Sequence, residues 1–129
     1  MSISGKIKEY IRLLLPSGQK SYSQSGEDII VDFIFKWQFQ IASITYLDIG
    51  AHHSTKFSNT AFFYKKGDRG VCVEADPYLC QEIRRNRPGD VCLCVGITAD
   101  NKAGADFYVM SISTLNTFSK KEAERYVSY

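Results

Sequence analysis

The stretch Ile44-Thr-Tyr-Leu-Asp-Ile-Gly-Ala51 decides the fold. It is an apolar run of strand length that ends at Gly50, and a second such run, Gly70-Val-Cys-Val-Glu74, follows after one helix length. A third apolar run extends from Val91 to Ile97. Short strands separated by helix-length segments are typical of βαβ units. We therefore expect an α/β fold with a Rossmann-like, mostly parallel sheet whose strands are covered on both faces.

Two helices are predicted between these strands. The first extends from about residue 58 to 66 and ends at Gly67, because glycine is the usual residue just past a helix. The second opens at Asp76-Pro77 and continues to about Asn86, since aspartate is a common N-cap and proline suits the first helical position. These helices place the three strands in a βαβαβ order.

Further elements are predicted on both sides of this core. Ser25 is expected to cap a helix of which Ile29, Ile30, Phe33, Ile34 and Trp37 line one face. Ser119-Lys-Lys-Glu122 has the capping-box pattern of a last short helix, and a further strand is predicted over 105–110. Near the start of the chain, a helix is predicted from the spacing of Ile7, Tyr10, Ile11 and Leu14.

Length and composition describe one globular domain. The chain has 129 residues, 44% of them hydrophobic and 23% charged. We assign a single domain to 1–129, with an N-terminal helical segment over 1–43 and the βαβαβ core over 44–129. A net charge of +2 does not favour a nucleic-acid surface. Neither a membrane span nor a secretory signal is recognised, so we expect a cytoplasmic protein.

The four cysteines carry little information by their spacing. Cys72, Cys80, Cys92 and Cys94 include no C-x-x-C pair. A disulfide framework and a zinc site are both disfavoured by that spacing and by the expected compartment. We interpret the cysteines as buried, reduced side chains that act as small hydrophobes.

The layout strand, glycine turn, helix, strand and acid is that of a nucleotide-type site at the carboxyl end of a parallel sheet. Gly50 allows a ligand to approach the backbone closely. Glu74 ends the second strand, where it can accept two hydrogen bonds from the vicinal hydroxyls of a ribose. The interval from Asp48 to Glu74 is one strand–helix–strand unit. A turn glycine and a strand-capping acid without any ligand would be the structural alternative.

The pattern favours a ligand that has a ribose but no phosphate. A dinucleotide site needs G-x-G-x-x-G, so that a pyrophosphate can lie against bare backbone at a helix start. Here His52 occupies the second glycine position, and no G-x-x-x-x-G-K-[ST] loop is present. S-adenosylmethionine fits these residues better than NAD does. Asp48 would then lie near the amino group of its methionine part.

Several short motifs, in order, resemble the FkbM-family methyltransferases over about residues 22 to 115. The motifs are Tyr22-Ser-Gln-Ser-Gly-Glu-Asp28, Leu47-Asp-Ile-Gly-Ala51, Ser58-Asn-Thr60, Lys66-Gly67, Gly70-Val-Cys-Val-Glu74, Asp76-Pro77, Arg87-Pro88 and Ser113-Thr-Leu115. The resemblance implies an S-adenosylmethionine-dependent O-methyltransferase that acts on a sugar or glycan hydroxyl. The cofactor-binding residues that we assign with it are Gln24, Asp48, Gly50, Ala51, His52, Asn59, Glu74 and Ala75.

Two alternatives to the methyltransferase hypothesis remain. The family continues into another core strand with an Asp-Val-Glu-Gly-type motif, and this chain ends at Tyr129 without one. We therefore also consider a catalytically incomplete cofactor-binding fragment or interaction module, with an exposed sheet edge that favours self-association. An NAD-dependent Rossmann protein is the third hypothesis. The expected partner is a small-molecule or glycan acceptor, with no nucleic acid, no membrane span and no metal; no catalytic base is assigned.

Other polar and aromatic residues can be interpreted either structurally or functionally. His52 is a general-base candidate, whereas adjacent His52 and His53 are expected to point apart and not to share a metal ion. The cluster Arg84-Arg85-Asn86-Arg87 is interpreted as a solvated helix end. The aromatic residues assigned to core packing are Phe57, Phe62, Phe63 and Tyr64. Ser113 and Thr114 face the acceptor or are polar loop residues.

Overall fold

The computed structural model describes residue 18 and residues 20–99 and 104–127. The helix predicted around Ile7, Tyr10, Ile11 and Leu14 lies outside the described residues. The elements in chain order are α1 (Glu27–Phe33), a π-helical turn (Ile34–Gln38), β1 (Thr45–Ile49), α2 (Ala61–Lys66), β2 (Arg69–Val73), α3 (Pro77–Asn86), β3 (Val91–Leu93), a 3-10 turn (Ser113–Leu115) and α4 (Lys120–Val127).

The fold is α/β with a three-stranded parallel sheet, as the sequence predicts. The strand order is β1-β2-β3, with β2 in the centre. Thr45 pairs with Arg69 at the start of β1, and Val71 pairs with Val91 at the start of β3. This arrangement is compatible with a Rossmann-like sheet, and it brings the carboxyl ends of all three strands to one edge.

Two predicted strands are shorter or missing. The third strand ends at Leu93 rather than at Ile97. Instead of the strand predicted over 105–110, the structure has one isolated antiparallel bridge, between Tyr108 and Thr117. The reason is local, because the Asn116 side chain accepts the Met110 N–H at 2.8 Å and holds this segment as a loop folded on itself.

Three predicted helix boundaries are confirmed. Gly67 ends α2 in the left-handed region, with φ +111°. The Asp76 carboxylate caps α3 by accepting the Tyr78 N–H at 2.8 Å. Ser119 Oγ accepts the Glu122 N–H at 3.3 Å at the start of α4. In the part of the chain described here, no helix has the length and apolar character needed to cross a bilayer.

A small core lies between the sheet and α3. Cys72 and Cys92 point from β2 and β3 towards Cys80 and Ile83 of α3, and Ala51 completes this buried cluster. The interpretation of the cysteines as buried hydrophobes is confirmed for these three and is wrong for Cys94, which is exposed. Cys94 follows the end of β3, so no helix residue covers it fully.

The opposite face of the sheet is open. Leu47 and Ile49 of β1 are 64% and 60% exposed, and Val91 and Leu93 of β3 are also exposed. The prediction that the strands are covered on both faces is therefore wrong for β1 and β3, whereas Val73 of β2 is buried on this face. The apolar runs are long enough for two buried faces, but α3 contributes its buried side chains to the face that carries Cys72 and Cys92.

A buried polar cluster joins the end of α3 to the sheet. Arg87 is 1% exposed, and its guanidinium lies 2.6 Å from the Asp90 carboxylate. The Tyr46 hydroxyl donates to the same carboxylate at 2.9 Å, and Arg87 donates to Thr60 Oγ1 at 3.0 Å. Burial, together with the hydrogen bond to Asp90, raises the pKa of Tyr46. The interpretation of Arg87 as part of a solvated helix end is wrong, because this ion pair removes it from water.

Asp28, not Ser25, organises the start of α1. The N-cap position is Gly26, in the left-handed region with φ +89°, and it has no side-chain cap. The buried Asp28 carboxylate accepts the Tyr22 N–H and the Ser21 hydroxyl, each at 2.7 Å. The predicted Ser25 cap is therefore wrong. Burial alone would raise the pKa of Asp28, but these hydrogen bonds outweigh burial and lower it.

The predicted apolar face of α1 points to solvent. Ile30, Phe33 and Trp37 are exposed, whereas Asp28 and Asp32 are the buried residues of this helix. Asp32 forms an ion pair with Lys66 at the end of α2, at 2.5 Å. Polar contacts therefore join α1 to α2, and of the predicted apolar face only Ile29 and Ile34 are half-buried.

We expect Asp28→Asn to lower the free energy of unfolding by about 1.5–2 kcal/mol at pH 7, because hydrogen bonds to a charged acceptor are stronger than those to an amide. A carboxylate with a lowered native pKa contributes stability above its unfolded pKa of about 3.9, and that contribution is lost as the pH falls through the native value. Urea unfolding of both proteins at pH 7 and pH 3 should therefore show a difference that narrows in acid. An equal difference at both pH values would contradict this account.

Candidate functional site

A cavity of about 610 Å³ lies at the carboxyl edge of the sheet. Its walls come from the turn after β1, the ends of β2 and β3, the segment before α1 and the chain after residue 104. Six of the eight predicted cofactor-binding residues line it, namely Gln24, Gly50, His52, Asn59, Glu74 and Ala75. The fold thus brings together positions that are up to 51 residues apart in the sequence, from Gln24 to Ala75.

Asp48 and Ala51 are not among the residues that line the cavity. The Asp48 carboxylate accepts a hydrogen bond from Thr60 Oγ1 at 2.5 Å, on the side of β1 that carries the buried polar cluster. Ala51 is buried in the core beside Cys72. Both side chains therefore pack behind the cavity wall and do not face the cavity. For Asp48 the reason is that side chains alternate between the two faces of a strand.

Glu74 is fixed at the end of β2 by backbone donors. It is 7% exposed, and its two carboxylate oxygens accept the His52 N–H at 2.7 Å and the Asp76 N–H at 2.8 Å. A carboxylate offers about four lone-pair sites, so these two bonds leave acceptor capacity towards the cavity. The carboxylate is thus held in one orientation without being saturated.

Gly50 forms the turn out of β1. Its φ is +74°, and the N–H groups of Gly50 and Ala51 both donate to the Val73 carbonyl, at 2.9 and 3.1 Å. A Cβ added to Gly50 would meet no atom within 4 Å. Glycine is therefore required here by the backbone conformation, and the space beside it is open.

The turn at Gly50 does not lead directly into a helix whose N-terminal N–H groups are free. The chain does not become helical until α2 begins at Ala61, and the Ala61 N–H donates to Ser58 Oγ at 3.1 Å. A pyrophosphate site of the dinucleotide type needs a glycine turn that leads directly into a helix with free N–H groups. The local geometry therefore argues against a dinucleotide phosphate at this position.

Two cavity residues adopt a backbone conformation that is unusual for their type. His52 and Phe57 have φ +54° and +53°, in the left-handed region. Such conformations cost about 1–3 kcal/mol each and are common at functional sites. Phe57 is exposed and lines the cavity, so its assignment to core packing is wrong, whereas Phe62 and Phe63 are buried as predicted.

The two adjacent histidines have different partners. His52 Nε2 lies 2.9 Å from the Ser113 hydroxyl, across the cavity wall. His53 Nδ1 accepts the N–H groups of Thr55 and Lys56, each at 3.1 Å, and therefore belongs to its own loop. Within the ranges that the structure describes, no three His, Cys, Asp or Glu side chains are grouped so that they could hold a metal ion.

The segment after residue 104 closes one side of the cavity. Ser113 contacts His52, and the Asn116 side chain donates to the Asp76 carboxylate at 2.7 Å. The Phe118 ring lies against the backbone of Gly96, where any larger residue would collide with it. Residues that line the cavity but were not predicted include Phe107, Asn116 and Phe118 of this segment, and Glu27 of α1. In the sequence, only the Ser113-Thr-Leu115 motif indicated that this segment is close to the site.

We expect Gly50→Ala to lower the free energy of unfolding by about 1–2 kcal/mol, because an L-residue is unfavourable at φ +74°. Gly67→Ala is the reference variant, since Gly67 also has a positive φ, +111°, and equally open space but does not line the cavity. Chemical unfolding should show comparable losses for the two variants. A loss below 0.5 kcal/mol at Gly50, on the order of ordinary surface substitutions, would contradict the strained-turn interpretation.

Comparison of this chain with protein-family models, with curated proteins and with solved structures finds no match.

Proposed function

We propose that the chain binds S-adenosylmethionine in the cavity at the carboxyl edge of its sheet and acts as an O-methyltransferase on a sugar or glycan hydroxyl. The observation that carries this proposal is the placement of Glu74. Its carboxylate is fixed by two backbone N–H groups and borders the same cavity as the Gly50 turn. The acceptor class rests on the resemblance to FkbM-family methyltransferases.

The chemistry of the cavity supports an adenosyl ligand. The remaining lone pairs of Glu74 can accept two ribose hydroxyls, which is how an acid at the end of the second strand serves nucleoside ligands in such folds. Val95, Ile97 and Phe118 supply apolar wall area for a base. The turn after β1 offers no free helix start for a pyrophosphate, and a nucleoside sulfonium needs none.

Methyl transfer from a sulfonium needs mainly alignment. When bound, S-adenosylmethionine would supply the methyl group. The protein must hold the acceptor oxygen in line with that carbon at about 3–3.5 Å and exclude water. A base then accepts the proton of the acceptor hydroxyl. His52 is the imidazole that lines the cavity, and its contact with Ser113 holds the ring in place.

Isothermal titration calorimetry tests the binding step. We expect heat on addition of S-adenosylmethionine or S-adenosylhomocysteine, and no competition by NAD. Absence of heat at millimolar ligand, with the protein folded by circular dichroism, would overturn the proposal.

A second assay separates binding from turnover. A methyl-labelled cofactor, incubated with the protein and a panel of glycans, should yield a labelled acceptor. Cofactor binding without label transfer to any glycan would favour the non-catalytic binding module over the enzyme.

A further inference from the structure

Three thiols meet between α3 and β3. The sulfur atoms of Cys80 and Cys92 are 3.1 Å apart, and the two residues are only 1% and 6% exposed. Cys94 is exposed and lies two residues beyond Cys92, and burial together with the neighbouring Cys80 thiol raises its pKa. Cys80 therefore lies within reach of two other cysteines, one buried and one open to solvent.

The secondary structure explains why these thiols converge. Cys92 faces α3, and side chains two residues apart along an extended chain point to the same side, so we expect Cys94, just past the end of β3, on the side of Cys92. Arg84 of the same helix donates from Nε and Nη2 to the Cys92 carbonyl, at 3.2 and 2.8 Å. These bonds fix the helix against the strand, and they keep Cys80 opposite Cys92.

We propose that Cys80, Cys92 and Cys94 form a disulfide relay site, in which a hydroperoxide oxidises Cys94 and Cys80 resolves the product. This is independent of the proposed cofactor. In a disulfide the two sulfur atoms are about 2.05 Å apart, so the Cys80–Cys92 pair must approach by about 1 Å.

The chemistry proceeds in three balanced steps. The Cys94 thiolate attacks the peroxide oxygen, which breaks the O–O bond and gives a sulfenic acid and an alcohol, or water when the oxidant is hydrogen peroxide. The Cys80 thiolate then attacks the Cys94 sulfur, and the sulfenic oxygen leaves as water. Cys92 finally attacks Cys80 in the new disulfide, and Cys94 is released and takes up the proton that Cys92 loses.

Burial explains why the relay begins at Cys94. It raises the pKa of Cys92 to about 12, with help from the Cys80 thiol, so Cys92 is protonated at neutral pH and does not react directly with peroxide. Burial and the neighbouring Cys80 thiol also raise the pKa of Cys94, while Arg84 lowers it and Glu74 raises it. Oxidation is therefore slow, and access for the oxidant selects Cys94.

Peptide mapping after oxidation tests the site. The native protein is treated with hydrogen peroxide, alkylated, unfolded and analysed by tandem mass spectrometry. We expect a Cys80–Cys92 disulfide, with Cys94 alkylated. A folded protein whose Cys80 remains a free thiol after oxidation of Cys94 to sulfinic acid would overturn the proposal.

Two variants separate the relay from general oxidation. We expect Cys94→Ser to slow formation of the disulfide at least tenfold, because the accessible thiol is lost. Cys72→Ser is the control, since Cys72 is buried in the same core but its thiol donates to the Asp90 carboxylate at 3.9 Å. Equal rates for Cys94→Ser and the native protein would show that Cys94 is not the point of entry and would overturn the relay.

Discussion

Replacing Arg87 with methionine is expected to lower the free energy of unfolding by about 3–5 kcal/mol, the largest change for any single substitution considered in this protein. Methionine fills a similar volume, but it leaves the Asp90 carboxylate buried with only the Tyr46 hydroxyl, the Gly70 N–H and weak contacts as partners. Removal of one partner from a buried ion pair leaves an uncompensated charge. Urea unfolding followed by circular dichroism measures the loss.

The control for this substitution lies two residues earlier. Arg85 is exposed in the last turn of α3, so Arg85→Met removes the same charge and should change stability by about 0.5 kcal/mol or less. The double variant Arg87→Met with Asp90→Asn should recover part of the loss, because no buried charge remains. Equal effects of Arg87→Met and Arg85→Met would mean that the buried ion pair contributes nothing measurable.

The second large effect is expected on ligand binding. Glu74→Gln should weaken binding of S-adenosylmethionine by about 30- to 150-fold, which corresponds to about 2–3 kcal/mol for hydrogen bonds to a charged acceptor. Glutamine has nearly the same shape, but it offers one acceptor oxygen in place of two. That oxygen cannot serve the His52 and Asp76 N–H groups and two ribose hydroxyls together. Isothermal titration calorimetry on both proteins gives the ratio of Kd values.

Glu82→Gln provides the matched control. Glu82 lies on α3 outside the cavity and accepts the Ser54 N–H at 3.3 Å, so it also has a backbone donor. Its substitution should leave the Kd unchanged within about twofold. If Glu74→Gln binds as tightly as the unsubstituted chain, Glu74 does not hold the ligand, and the cavity would need another anchor for an adenosyl group.

Local signals account for the features of the fold that could be predicted. Asp76-Pro77 and Gly67 carry capping information within their own few residues, and the structure uses both as expected. The strand pairing followed from the βαβ order, because short connections through helices require parallel neighbours. The open face of the sheet could not be predicted from local signals, because an apolar run does not indicate which other segments pack against it.

Long-range partners explain the main errors. Arg87 looks like a solvated residue at the end of a basic helix, and only the fold brings it to Tyr46, 41 residues earlier in the chain. Asp28 likewise looks like an ordinary acid in a first helical turn. Its role as acceptor for a preceding loop depends on the path of residues 21–23, which no helix signal specifies.

Much of the candidate site was predictable, because the carboxyl ends of parallel strands meet at one edge. Gly50 and Glu74 follow from this rule, whereas Asp48 points to the buried side. Alternation along the strand separates Asp48 from the residues at the tip. The closing segment around Asn116 was missed, since its place depends on one side-chain bond to Asp76 rather than on a repeating pattern.

The central position of β2 also affects how the sheet unfolds. In the described sheet β1 and β3 are not adjacent, and each is hydrogen-bonded to β2 alone. Detachment of β1 breaks one ladder and leaves β2 and β3 joined, whereas detachment of β2 breaks both ladders in a single event. The sheet therefore has two unequal modes of opening: fraying from a side strand, and cooperative loss of the whole sheet through its middle strand.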